Sequence, residues 1–127
     1  MKVNIGKFPK KYTTQRKISV QIDDFDTWSL DHTLALVIHP ALVKFKEDSM
    51  DVGHPCLCDD LTTCTVDGNV CTCSDKWQEM LDKMIWSFGQ IITDDFDSYT
   101  IEQYRAYEVR MQEGLELFGK YFRSLWT

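Results

Sequence analysis

The chain has 127 residues, of which 43% are hydrophobic and 27% charged, and a formal net charge of −6. That length supports one domain with its own core, and that balance excludes a disordered tail. Apolar runs fall short of the roughly 18 residues that a bilayer span requires. The opening MKVNIGKFPKKY lacks the apolar region of a signal peptide, so the cytoplasm is the expected compartment and no membrane partner is expected.

The charge is unevenly spread. Residues 1–17 contain Lys2, Lys7, Lys10, Lys11, Arg16 and Lys17 and no acid, whereas the remainder has 8 basic and 20 acidic residues, a net −12. A basic arm of this size can touch phosphate, but the acidic body repels a polyanion, which argues against general nucleic-acid binding. The same acidity suits a partner that itself binds nucleic acid.

Within residues 1–22, KVNI and KISVQI alternate polar and apolar residues and predict two short strands. Residues 29–47 predict a first helix. Leu30, Leu34, Val37, Ile38, Ala41 and Phe45 form one apolar face, with Leu36 and Val43 on the far side beside His32 and His39. A helix apolar on two sides is expected to be central, and Pro40 to kink it or end its first half near Ile38 or His39. Residues 48–73 read as a Cys-rich loop.

Residues 75–92 predict a second helix, opened by Ser74 or Asp75, with Gln78 placed for a capping box from Asp75. Its core stripe is Trp77, Met80, Leu81, Met84, Phe88 and Ile91. Residues 100–126 predict a third helix, with a second box from Thr100 and Gln103. Its stripe is Tyr104, Tyr107, Met111, Leu115, Phe118, Phe122 and Leu125. Gly114 and Gly119 flank that stripe, and each costs about 1 kcal/mol in a helix, which suggests close packing or a kink. The expected fold is α+β and mainly α: one domain over 1–127, a three-helix bundle with a short N-terminal strand pair and a Cys-rich hairpin loop.

Two segments are nearly alike, DDFDTWS at Asp23–Ser29 and DDFDSYT at Asp94–Thr100. Acids and hydroxyls ahead of a helix favour its positive end and cap its first N–H groups, so both read as helix starts. A Ca²⁺ or Mg²⁺ site needs a cage of six or more oxygens, and the EF-hand pattern is missing. The segments that follow, LDHTLALVIHP and IEQYRAYEVRM, share no likeness, which excludes a repeat. The first cassette holds more than capping requires. Trp28, Asp31 and His32 fall within one turn of a helix N-terminus, where His32 can donate to a phosphate and Trp28 can stack on a base. The competing reading places Trp28 in the core and bonds His32 to Asp31 or backbone.

The loop HPCLCDDLTTCTVDGNVCTC carries Cys56, Cys58, Cys64, Cys71 and Cys73. VDGNV signals a hairpin that sets Cys64 opposite Cys71, with Cys71 and Cys73 on one face. Joined by Cys56, Cys58 or His54, these thiols suit a structural Zn²⁺. The C-x-C spacing equally suits thiols without metal, and an odd count in a cytosolic protein disfavours disulfides. Trp86 lies opposite the second helix's stripe, among Glu79, Asp82, Lys83 and Gln90. It is either covered by a second layer or an anchor for a partner. On the third helix, Arg110 sits away from the stripe and Lys120 lies near Glu113 and Glu116. Both are candidate phosphate partners, and surface salt pairing is the other reading of Lys120.

MKVNIGKFP, FDTWSLDHTLALVIHPAL, WQEMLDKMIWSFGQ and QEGLELFGKYFRSLW, in this order over about three-quarters of the chain, resemble a widespread family of small tailed-bacteriophage proteins. That family's pattern has K-x-x-I-G, D-T-W-S-x-D-x-T-L-A, M-I-W-x-F-E-Q and G-L-x-L-F-G-K-Y-F-x-x-L-W. Gly89 stands where the pattern has Glu, and the Cys-rich loop replaces a long acidic stretch. The resemblance implies a non-structural phage protein acting in the host cytoplasm. The leading expectation is a non-enzymatic binder that sequesters a nucleotide-like antiviral defence signal through Trp28, Asp31 and His32, with Arg110 and Lys120 on phosphate. A protein–protein inhibitor using the acidic surface and Trp86 is one alternative. A small enzyme on a nucleotide signal, with His32 as acid–base and Asp31 as orienter, is the other. Homo-oligomers are compatible with each.

Overall fold

A computed structural model describes residues 1–8, 15–50, 54–57, 73–93 and 98–126. They are mainly helical, with one two-stranded antiparallel sheet. The elements are β1 (Lys2–Ile5), β2 (Ile18–Gln21), a 3₁₀ turn (Asp24–Thr27), α1 (Leu30–Ser49), α2 (Cys73–Thr93), α3 (Ile101–Tyr121) and a closing 3₁₀ turn (Phe122–Ser124). The chain divides into two compact units, Met1–Leu34 and Ala35–Thr127.

In the first unit the alternation of KVNI and ISVQ gives the expected strands. β1 pairs antiparallel with β2, with Lys2 opposite Gln21, Val3 opposite Val20, Asn4 opposite Ser19 and Ile5 opposite Ile18. The ladder extends one step, Gly6 N–H donating to the Lys17 carbonyl at 2.8 Å. The first acidic cassette then makes a 3₁₀ turn before the helix. Asp23 N–H donates to Asp26 Oδ2 at 2.8 Å, and Asp26 N–H donates to the Asp23 carbonyl at 3.0 Å. Asp26 is buried and pairs with the Met1 ammonium at 2.7 Å. Thr33 N–H donates to the Ser29 carbonyl at 3.0 Å, the first bond of α1.

In the second unit the core is built around α2. Trp77, Leu81, Met84 and Phe88 of its stripe are buried, with Ala35 and Leu42 of α1 in the same cluster. Leu115, Phe118 and Leu125 pack on it from the α3 side. Rings interlock edge-to-face at Trp77–Tyr121 (5.6 Å) and Phe88–Phe118 (4.9 Å), the geometry that aromatic quadrupoles favour. The third-helix stripe is buried unevenly: Tyr107 is enclosed, while Tyr104 and Phe122 remain exposed.

Several expectations are corrected. α1 is not the central helix: only Ala35, Leu42 and Ser49 are buried along it, and Leu36 on its second apolar side is half exposed. α2, with Cys73, Trp77, Leu81, Met84, Ser87 and Phe88 buried, takes that place. Of the two outcomes expected at Pro40, an end near Ile38 or His39 does not occur, since α1 runs on to Ser49 as one helix. The lost bond falls on the Leu36 carbonyl, and both Leu36 and Pro40 are exposed, so water can replace it. α2 opens at Cys73, two residues before Asp75, so the Asp75–Gln78 box does not form. Gln78 Nε2 turns instead toward Ser49 Oγ at 3.5 Å. α3 stops at Tyr121 and gives way to the 3₁₀ turn.

One capping box and one glycine match the sequence reading. Thr100 Oγ1 accepts from Gln103 N–H at 3.2 Å, and Gln103 Oε1 accepts from Thr100 N–H at 2.9 Å. At Gly114 a β-carbon would meet Ser87 Oγ at 2.0 Å and the Lys83 carbonyl at 2.4 Å, so α2 and α3 approach through this glycine. Gly119 has nothing within 4 Å of such a carbon and serves no packing role. No described helix is long and apolar enough to cross a membrane.

Candidate functional site

The α2–α3 side carries a concavity whose lining combines aromatic rings, an amide and a cation. Trp86 leaves the core stripe of α2, and α3 brings Gln103, Ala106, Tyr107 and Arg110 alongside it, with Tyr99 from the turn before the helix. These six residues line an open hollow of about 350 Å³, within the usual range for small-molecule sites. The capping box fixes the start of α3, and with it the positions of Tyr99 and Gln103.

Tyr107 is the hub. It is only 6% exposed and meets Trp86 edge-to-face at 5.5 Å, Tyr99 edge-to-face at 5.8 Å and Tyr104 in a stacked arrangement at 6.3 Å. Arg110 lies with its guanidinium carbon 3.9 Å from the Trp86 ring centre, a close cation–π contact. Among the described residues no carboxylate pairs with Arg110, although the chain is acidic and the nearby Lys83 is paired with Glu113 at 2.5 Å. The indole face orients the guanidinium without neutralising it, which leaves its in-plane N–H donors for an anion.

The residues named from sequence fall in different places. Trp28 is 85% exposed just before α1, Asp31 is exposed in the first turn, and His32 is half buried beside it, all within the first unit. The alternative that sealed Trp28 in the core is therefore wrong, because the 3₁₀ turn points it outward. Arg110 and Trp86 come together in the second unit. Lys120 lies ten residues along α3 from Arg110, about 15 Å of helix rise, and rests over the Tyr121 ring at 5.2 Å. It is not part of the Trp86 hollow.

Of the cysteines, Cys56 is exposed and Cys73 is buried at the start of α2, where its sulfur accepts from Leu57 N–H at 3.3 Å. Cys58, Cys64, Cys71 and the expected hairpin lie outside the described residues, as do Asp94–Asp97 of the second cassette. Among the described residues no three His, Cys, Asp or Glu side chains gather in a metal-holding group.

Sequence reasoning missed Tyr99, Gln103, Ala106 and Tyr107 as lining residues. Gln103 was legible as a cap and Tyr107 as core, and each does a second job here. The available signal was the spacing 103, 106 and 110, which places these residues on one side of α3, with Tyr99 just ahead of it. No protein-family model, curated protein or solved structure matches the chain.

Proposed function

We propose that the protein is a binder of a nucleotide-like anion, held in the hollow of Trp86, Tyr99, Gln103, Tyr107 and Arg110. The observation that carries this reading is the Arg110 guanidinium, stacked on Trp86 and left without a carboxylate partner among the described residues. Arg recognises phosphate through its planar fork while its face stacks on flat rings, and the tyrosines add further ring surface for a base. The lining supplies a cation, an amide and phenols, groups that hold a ligand rather than relay its protons, so binding is favoured over turnover. The helices are read as a three-helix bundle that displays this hollow between its second and third members.

The resemblance to small tailed-phage proteins supports a setting for this activity: a non-structural protein that sequesters a nucleotide-like defence signal in the host cytoplasm. Relative to the sequence reading, the site moves from Trp28, Asp31 and His32 to Trp86 and Arg110. A second reading, a protein–protein inhibitor, is favoured by a different surface. Val109 is 72% exposed on α3 amid Glu108, Gln112, Glu113 and Glu116, an apolar point within an acidic field.

Native mass spectrometry of the full chain with bacterial nucleotide extracts, then with single mono-, di- and cyclic dinucleotides, tests the binder. A retained nucleotide is expected, with affinity lowered at least tenfold by Arg110→Ala or Trp86→Ala and unchanged by Trp28→Ala. No retained nucleotide, or retention indifferent to Arg110 and Trp86, refutes it.

A further inference from the structure

The first unit, taken by itself, carries an apolar face that is exposed among the described residues. Because Val3 lies opposite Val20 and Ile5 opposite Ile18, and side chains alternate along each strand, all four project from the same side of the ribbon. Ile22, the residue after β2, is exposed as well. These five side chains are 43–66% exposed. The reverse side holds Lys2, Asn4, Ser19 and Gln21. A two-stranded ribbon is marginal in water by itself, so a clean aliphatic row on one of its sides calls for a covering layer.

We propose that this face is the contact between two copies of the chain, ribbon against ribbon about a twofold axis. Three observations select a second copy over other occupants. The row is self-complementary: cross-strand pairs of like residues, Val with Val and Ile with Ile, meet their own kind under a twofold operation. Most of the described cations are directed elsewhere. Lys2 and, by the same alternation, Lys17 stand on the reverse side, Arg16 is drawn back to the Gly6 carbonyl at 2.8 Å and the Phe8 ring at 4.7 Å, and Lys7 alone follows the parity of Val3 and Ile5, beyond the end of β1. An anionic lipid surface or acidic protein would need cations bordering the apolar row, whereas two copies need them away from it. The size also fits: five roughly half-exposed aliphatic side chains offer on the order of 500 Å² per copy, about the 1,000 Å² total at which specific interfaces begin.

This inference is independent of the ligand reading. Sedimentation equilibrium of the full chain over a wide concentration range tests it. A reversible dimer is expected. Val20→Glu should weaken it at least tenfold, and the β-compatible Val20→Thr should weaken it less. Ser19→Glu, on the reverse side, should leave it unchanged. A wild-type chain that stays monomeric overturns the proposal, as does a dimer indifferent to both Val20 variants. Co-sedimentation of a monomer with phosphatidylglycerol-containing vesicles, lost in Val20→Glu, would assign the face to lipid and equally overturn it.

Discussion

Ser87 Oγ occupies the space that a β-carbon on Gly114 would need, 2.0 Å from its ideal position, and donates to the Met111 carbonyl at 3.1 Å. The serine is fully buried, and the Lys83 carbonyl stands behind it at 2.4 Å from the same point, so neither obstacle can simply rotate aside. Gly114→Ala is therefore expected to destabilise the fold by about 3 kcal/mol, because overpacking outweighs the helix propensity gained. Gly119→Ala, with open space around it, should instead add up to about 1 kcal/mol. Denaturant unfolding of the two variants should give opposite signs, and equal effects would refute the assignment of the contact to Gly114.

Thr100 and Gln103 satisfy each other's backbone N–H groups at the start of α3. Removing an N-cap oxygen costs about 1 kcal/mol in general. Thr100→Ala should lose about that much in chemical unfolding, while Thr100→Ser keeps the acceptor and stays near wild type. Since the box also fixes Tyr99 and Gln103 at the hollow, Thr100→Ala should weaken ligand retention without removing any lining side chain.

The parts legible in the sequence were those set by local chemistry. Alternation around Val3 and Val20 marked the strands, the stripe from Trp77 to Phe88 marked the core helix, and the Thr100–Gln103 spacing marked its neighbour's start. Each depends on residues a few positions apart. The position of α1 was not legible, because two apolar sides on a helix register a surplus of apolar residues, not what covers them. Leu36 and Val37 end exposed. Periodicity likewise put Trp86 and Arg110 off their stripes without showing that the two off-stripe faces meet. Nor could periodicity show that His39 Nε2 lies 3.3 Å from where a β-carbon on Gly89 would sit.

Placing the core on α2 carries its own consequence. Leu81 is wholly buried within the cluster of Trp77, Met84 and Phe88. Leu81→Ala should cost about 2–5 kcal/mol, the usual range for a buried Leu. Leu36→Ala, on the outer side of α1, should fall within about 0.5 kcal/mol of wild type. A matched pair of melts decides between α2 and α1 as the central helix, and comparable losses at both positions would restore the sandwiched α1.

Asp26 links Met1, just ahead of the ribbon, to the turn before α1, and its charge sets how that joint responds to acid. The Met1 ammonium bonded to it, followed by the Asp23 backbone N–H, holds its carboxyl below the ordinary value of 3.8 despite its burial. A carboxylate whose folded value is depressed contributes stability above its unfolded value and loses it as pH falls through the folded one. The joint should thus be at full strength at neutral pH and weaken only below about 3.9. Amide exchange at Asp23 should report it, with slow exchange near neutrality and progressively faster opening, relative to the intrinsic rate, in stronger acid. Asp26→Asn retains an oxygen acceptor but no charge, so its Asp23 amide should be less protected at neutral pH, and its protection should not change across the range in which wild-type Asp26 protonates. Equal protection in the two proteins at neutral pH would remove the carboxylate from any role at this junction.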